Sequence, residues 1–282
     1  MKFSTHTTQG FAVITVLIAF AANSITEHRA HAGLTQSENE GSKDKTDHII
    51  QQLKEKIRGF GDMTAHVEML LTDTSGRNAK RSMEIRILES AKGDSGDRSI
   101  VTFSSPNDIK GTVLLSHIDF PKPDRQWLFL PSLSRTQRIS GRISSGPFMG
   151  SEFSYEDITG GDIRKFSWKL LGEERCGRKS VQCYKLDTHP LYNHSGYSRR
   201  VVWVDKEHYR IQKIDFYDRK GTKIKTLEYS DYRLYLDKYW RAHSWTMKNV
   251  QSGKLTTLTF KNIRFRSGLG KSDFDRAALE RM

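Results

Sequence analysis

From Asp62 onward the dominant pattern in this chain has a period of two. Ala65, Val67, Met69 and Leu71 alternate with polar residues, and Met83, Ile85 and Ile87 alternate with Glu84, Arg86 and Leu88. Such a period sends successive side chains to opposite faces of a strand, so each run fits a sheet with one buried face and does not fit a helix. The clusters Thr72-Asp-Thr-Ser-Gly76 and Ser90-Ala-Lys-Gly-Asp-Ser-Gly96 read as turns, and Val101 and Phe103 mark a third strand. Further strand-like runs lie near 111–119, 125–131, 134–140, 166–173, 181–188, 199–204, 210–218, 222–232, 239–249 and 254–266. Turn signals such as Pro121-Lys-Pro123, Arg219-Lys-Gly221 and Gln251-Ser-Gly253 separate many of them. Many short strands with few helices between them predict a mainly β fold, an antiparallel meander curling towards a barrel.

Two details sharpen this expectation. Leu258 and Phe260 share a parity that Ile263 and Phe265 do not, so a bulge near Lys261-Asn262 is needed to keep all four on one face. Val113-Leu114-Leu115, Trp127-Leu128-Phe129-Leu130 and Val201-Val202-Trp203-Val204 are apolar on both faces and need cover on both sides. A ligand or lid would supply that cover, or the strands would close into a packed barrel. The spacing of Ile49, Ile50, Leu53 and Ile57 predicts one helix, capped by Thr46 or Asp47 and stopped by Gly59. A short helix is expected over Asp273–Arg281.

Residues 1–32 read as an export signal, with Lys2, an apolar stretch over 11–22 and the small-x-small pattern Ala30-His31-Ala32. The apolar stretch is shorter than the roughly 20 residues that span a bilayer, which disfavours an uncleaved anchor. No cysteine lies near the cleavage site, so no lipid anchor is expected there and the exported protein should be soluble in the periplasm. Residues 33–44 are polar and aperiodic and read as a disordered lead-in to a single domain over 45–282. Cys176 and Cys183 flank the turn Gly177-Arg178-Lys179-Ser180. In an oxidising compartment this favours a hairpin disulfide over two packed thiols, and no finger-like spacing supports a metal. The net charge is +13, of which the first 32 residues carry one unit. That charge implies attraction to anionic membrane surfaces, with nucleic acid excluded as a partner by export. The scattered basic residues, Arg199 and Arg200 among them, read as a solvated face.

Catalytic signatures are lacking: there is no Gly-x-Ser-x-Gly elbow, Walker loop, His-Glu-x-x-His or dinucleotide fingerprint. Glu152, Glu156 and Asp157 offer paired carboxylates for acid–base chemistry. The competing structural reading ties them to backbone N–H groups or to Arg142 and Arg164, and it is favoured. No enzyme activity and no cofactor are expected.

Four segments carry a family resemblance. They are Phe103-Ser-Ser-Pro-Asn-Asp-Ile-Lys-Gly-Thr-Val-Leu-Leu115, Trp127-Leu-Phe-Leu-Pro131, Arg135-Thr-Gln-Arg-Ile139 and Phe148-Met-Gly-Ser-Glu-Phe-Ser-Tyr-Glu-Asp157. In this order and rough spacing they resemble the Lol-like outer-membrane lipoprotein-sorting family, and Val201–Asp205, Ile214–Gly221, Trp240 and Met247-Lys-Asn249 extend the similarity over roughly 48–282. The resemblance implies an incomplete antiparallel β-barrel, a half-barrel with an N-terminal helix and a short C-terminal helix across its mouth. It implies a carrier or binding protein that shelters lipid, lipoprotein acyl chains or other hydrophobic cargo. Such a role serves lipoprotein sorting or an envelope exporter, with an inner-membrane exporter or an outer-membrane acceptor as partner. The alternative is a sensor or adaptor of similar fold acting through protein contacts. Trp127, Phe129, Phe148, Met149, Phe153 and Tyr155 are the candidates for a pocket wall or lid, because Met and aromatic side chains make adaptable apolar contacts. Plain core packing is the competing reading, evenly weighted for Trp127 and Phe129. Phe148 and Met149 follow Gly146-Pro147 in an expected loop, where large apolar residues call for a reason.

Overall fold

A computed structural model describes residues 41–90, 96–119, 121–159 and 161–279. The expected export signal, 1–32, and residues 33–40 of the expected lead-in lie outside the described residues. The chain falls into two units, Met1–Asp44 and Lys45–Met282, and the second carries the fold.

Among the described residues thirteen strands form one antiparallel sheet: β1 (Asp62–Thr72), β2 (Asn78–Leu88), β3 (Arg98–Ser105), β4 (Val113–His117), β5 (Arg125–Leu130), β6 (Arg135–Ile139), β7 (Phe166–Cys176), β8 (Val181–Pro190), β9 (Tyr197–Asp205), β10 (Ile211–Asp218), β11 (Lys223–Tyr235), β12 (Tyr239–Asn249) and β13 (Leu255–Phe265). Each run of alternating residues became one of them. The order across the sheet is β6-β5-β4-β3-β2-β1-β13-β12-β11-β10-β9-β8-β7. Apart from β6 and β7, neighbours in sequence are neighbours in space, and the pairing of β1 with β13 welds two meanders into one surface. The sheet does not close, so it is an open half-barrel whose two edges are β6 and β7. Residues 140–165 therefore have to carry the chain from one edge to the other.

The irregularity in β13 lies where parity requires it. Thr64 pairs with Arg264 and His66 with Lys261, so β13 holds one more residue than β1 between these pairs. Asn262, in that interval, takes a left-handed φ of 51°. The extra residue returns Ile263 to the face of Leu258 and Phe260, and all three pack in the main core.

Strands that are apolar on both faces are covered twice. Leu114, Leu128, Val202 and Val204 point into the main core on the inner face. On the outer face Val113, Leu115, Ile100 and Trp127 are covered by Phe274 and Leu279. Both belong to the C-terminal segment, a 3-10 turn (Lys271–Phe274) followed by a short helix, α3 (Arg276–Leu279). This segment thus packs on the opposite face from the N-terminal helix and does not join it at the mouth, because the apolar face of β3–β5 left open by the inner core is the outer one. Farther along, Val201 and Trp203 share a small outer cluster with Cys176 and Cys183, which are joined in a disulfide across the β7–β8 hairpin.

The N-terminal helix, α1, is helical over 41–57. It starts ahead of the expected caps: Thr46 lies inside it, buried, and its hydroxyl accepts the Leu170 N–H of β7 at 3.2 Å. Residues 41–44, read from sequence as lead-in, are helical as well. Ile49 and Leu53 are fully buried in the main core. Gly59, with φ of +93°, turns the chain away just past the end of the helix, a conformation that glycine adopts without steric cost.

Candidate binding cavity

The crossing segment between β6 and β7 is a strap laid through the half-barrel. Its centre is a tight loop in which Phe148 N–H donates to Phe153 O at 2.6 Å and Tyr155 N–H to Gly146 O at 3.2 Å. Met149 and Gly150 both take positive φ, 49° and 72°, and this sharp reversal turns both phenylalanines inward. Phe148 is 0% exposed and packs between Phe103 and Tyr155 at ring distances of 5.7 and 5.5 Å. After the loop comes a single helical turn, α2 (Tyr155–Thr159).

Polar groups fasten the strap to strands on the far side of the sheet. The Glu152 N–H donates to Thr256 Oγ1 at 3.0 Å, and its carboxylate accepts from Asn249 Nδ2 at 2.8 Å. Asp157 accepts from Lys225 Nζ at 2.5 Å, from Tyr197 Oη at 2.9 Å and from the Ser154 N–H at 2.7 Å. Glu156 accepts from Tyr192, from Ser195 and from the Gly196 N–H. Arg81 of β2 donates to the Met149 carbonyl from the other side. Glu152, Glu156 and Asp157 thus act as fasteners, with partners on β9, β11, β12 and the β8–β9 loop in place of Arg142 and Arg164. Arg164 pairs instead with Asp162.

Between α1, the strap and the inner face of the sheet lies an apolar cavity in two lobes. The first lobe, about 310 Å³, is walled by Met83, Ile85, Phe148, Trp240, Ala242 and Trp245, among others. The second, about 270 Å³, reaches Phe166, Trp168, Tyr192, Tyr197 and Arg200. Ile57, Phe60, Ile158, Ile211, Tyr229 and Trp245 line both, so the lobes adjoin. Burial raises the pKa of the Tyr192, Tyr197, Tyr229 and Tyr232 phenols, all of which line one lobe or both. The same desolvation lowers the Arg241 guanidinium to about 10, against the opposing pull of Glu89.

The last turn of helix α1 closes one side of the cavity through Lys56 and Ile57, and the helix is tied down at both ends. Towards its start Lys45 pairs with Glu173 of β7. Just past its end Arg58 makes a two-pronged bond with Asp97 at 2.9 and 2.8 Å, and the N–H groups of Gly59 and Gly61 meet the Glu89 carboxylate. Arg241 Nη2 donates to the Ile57 carbonyl at 3.3 Å. Among the described residues no helix is long and apolar enough to cross a membrane, and no group of three or more His, Cys, Asp or Glu side chains gathers as a metal site would require.

A family model described only as an uncharacterized protein matches residues 95–281. No curated protein matches the chain. Among solved structures, a domain from Vibrio parahaemolyticus, named for outer membrane lipoprotein sorting, is 42% identical with a TM-score of 0.79, covering 84% of this chain and 99% of that one. The chain belongs to the Lol-like outer-membrane lipoprotein-sorting family. A DUF1329 family protein from Desulfovibrio piger is 26% identical with a TM-score of 0.75, covering 85% of this chain and 98% of its own. A LolA superfamily protein from Nitrosomonas europaea shares the fold at 20% identity, with a TM-score of 0.66 over 83% of this chain and 98% of its own.

Within this Lol-like chain the six aromatic and methionine candidates separate. Phe148 lines the first lobe and Phe153 the second. Tyr155 and Met149 pack in the main core beside them. Trp127 and Phe129 point the other way, into the outer cluster under the C-terminal segment, and the expectation that they wall the pocket is replaced by core packing. Parity decides it: Leu128 faces the cavity side, so its two neighbours cannot. Phe148 does sit in a loop, with its side chain fully enclosed and facing the first lobe. Residues overlooked in the Lol-like sequence are Tyr229, Trp240, Trp245 and above all Arg200. One signal was present for Arg200. Arg199 and Arg200 are adjacent on a strand, so one of them must face inward, and Arg200 shares the parity of the buried Val202 and Val204.

Proposed function

We propose that the protein is a carrier for acyl chains or comparable hydrophobic cargo, working in the bacterial periplasm after export by its N-terminal segment. The observation that carries this reading is the apolar two-lobed cavity bounded by α1 and the strap. An apolar space of this kind gains about 0.8 kcal/mol for each CH₂ it removes from water, so a long chain binds without specific polar contacts. The relative named for lipoprotein sorting supports the same reading. Cargo would be received from an inner-membrane exporter or carrier and passed to an outer-membrane acceptor. The net positive charge favours transient contact with anionic membrane surfaces during the transfer. No chemical step is part of this role.

Native mass spectrometry of the protein purified from periplasm without detergent tests it. Co-purifying lipid or acylated peptide is the expected result, and its mass begins to identify the cargo. Protein that is bare on isolation, and still bare after incubation with lipid vesicles, would overturn the carrier reading.

A further inference from the structure

The second lobe holds a cation that the protein itself leaves unanswered. Arg200 sits mid-strand on β9 with its side chain turned inward, and it is only 7% exposed. Its guanidinium lies 3.4 Å from the centre of the Phe166 ring. Its one hydrogen bond is long, from Nε to Thr188 Oγ1 at 3.5 Å, and Nη1 and Nη2 have no partner among the described residues. Among the described residues no carboxylate stands within ion-pair distance. Other buried or half-buried cations around it are answered: Lys225 by Asp157 at 2.5 Å, Arg210 by Asp205 at 2.8 Å and Lys165 by Asp124. The carboxylates that line the same lobe are engaged elsewhere: Glu156 and Asp157 fasten the strap, Asp97 pairs with Arg58, Asp162 pairs with Arg164, and Glu89 accepts from the Gly59 and Gly61 N–H groups. A buried, unpaired charge costs several kcal/mol, and burial accordingly depresses the Arg200 pKa.

A second polar group shares this lobe. The Tyr229 side chain, on β11, lines both lobes, and its hydroxyl has no hydrogen-bond partner among the described residues. Tyr229 and Arg200 lie close enough to influence each other's ionisation. A guanidinium fork beside a free phenolic O–H is a donor set for a carboxylate or phosphate. The first lobe, adjoining it, is overwhelmingly apolar.

Resting on the carrier reading above, we propose that the second lobe is a head-group subsite: Arg200, assisted by Tyr229, binds the carboxylate or phosphate of an anionic amphiphile whose acyl chain lies in the first lobe. The cargo class is thereby narrowed. The acylated end of a lipoprotein, built from amide, thioether and ester groups, brings no anion to this arginine, whereas a fatty acid or an anionic single-chain phospholipid does.

The test compares ligands of matched chain on the delipidated protein: palmitate, 1-palmitoyl lysophosphatidate, the neutral hexadecanol, and inorganic phosphate alone, by displacement of a fluorescent acyl probe and by calorimetry. We expect at least one of the two anionic amphiphiles to bind tenfold or more tightly than hexadecanol, with phosphate alone far weaker. Arg200→Met should abolish that preference while leaving hexadecanol binding unchanged. Hexadecanol binding as tightly as both anionic ligands, or a preference that survives Arg200→Met, would overturn the head-group subsite and leave the carrier standing. Phosphate alone binding as well as lysophosphatidate would overturn the amphiphile in favour of a plain anion site. Failure of all three amphiphiles to bind would overturn both proposals. Should Arg200→Met not fold, the wild-type comparison decides by itself. Arg200→Lys then adds a second reading, since it keeps the charge but not the fork and is expected to retain only part of the preference.

Discussion

The hydroxyl of Tyr239 on β12 donates to the carbonyl of Gly59 at 2.6 Å, pinning the turn that follows α1 to the sheet. Gly59 has left the helix, so its carbonyl has no partner within α1, and the phenol takes that place. Tyr239→Phe keeps the ring contacts with Phe60 and Phe265 and removes only this bond. The expected cost is about 1 kcal/mol in urea denaturation. Faster hydrogen exchange at the C-terminal turn of α1 should accompany it, and unchanged exchange there would show that Arg58 and Glu89 hold the turn unaided.

Ala242 offers a direct way to fill the cavity. It is buried on the wall of the first lobe, so a larger side chain there enters empty space and does not crowd a packed core. Ala242→Phe should weaken binding of a fluorescent acyl probe by tenfold or more while changing stability by no more than about 1 kcal/mol. Undiminished probe binding by the folded variant would place the cargo elsewhere.

The Lys225–Asp157 pair holds the strap from below, with both side chains nearly inaccessible. Removing one partner of a buried pair strands the other, which typically costs about 3–5 kcal/mol. Lys225→Met should therefore destabilise the protein by about 3 kcal/mol and raise hydrogen exchange over residues 146–157. Combining it with Asp157→Asn should recover part of the loss, because the stranded charge is gone.

The disulfide sits on the outer face, away from both lobes. Closing a loop as short as the one between Cys176 and Cys183 contributes about 2 kcal/mol in the chain-entropy account. The Cys176→Ser/Cys183→Ser double variant should lose about that much in denaturation and bind acyl probe as the wild type does.

Two histidines set an acid limit. His117 Nε2–H donates to the Phe274 carbonyl at 2.8 Å, and His243 lies between the Phe260 carbonyl and the Tyr235 hydroxyl, each at 2.8 Å. Burial is the main cause that lowers both pKa values below the ordinary 6.5. In that window the unfolded chain binds protons that the folded chain refuses, so stability falls as pH drops through 6.5 towards the folded values. The urea midpoint should be lower at pH 5.5 than at pH 7.5, and the His117→Gln/His243→Gln variant should lose most of that difference. A midpoint with no slope in the wild type would contradict the burial argument.

The strands were legible because alternation is local: Ala65, Val67 and Met69 declare their face whatever lies across from them, and the parity break between Phe260 and Ile263 even located the bulge. The same rule placed Trp127 and Phe129 once Leu128 was known to face the cavity, but only the tertiary structure could say which face was which. The positions of the covers were beyond the sequence for a physical reason. Val113, Leu115 and Trp127 need apolar partners, yet hydrophobic contact is non-directional, and nothing in those residues specifies that Phe274 and Leu279 supply them. The sequence by itself determined a mainly β chain, its strand parities, the helix at Ile49–Ile57 and its family. The tertiary structure decided that β6 and β7 are opposite edges, which forces the Gly146–Asp157 motif across the half-barrel as a strap. It also decided that Arg200 faces the cavity without a counter-ion, because charge compensation depends on which distant side chains arrive nearby, and that is set only when the whole sheet has assembled.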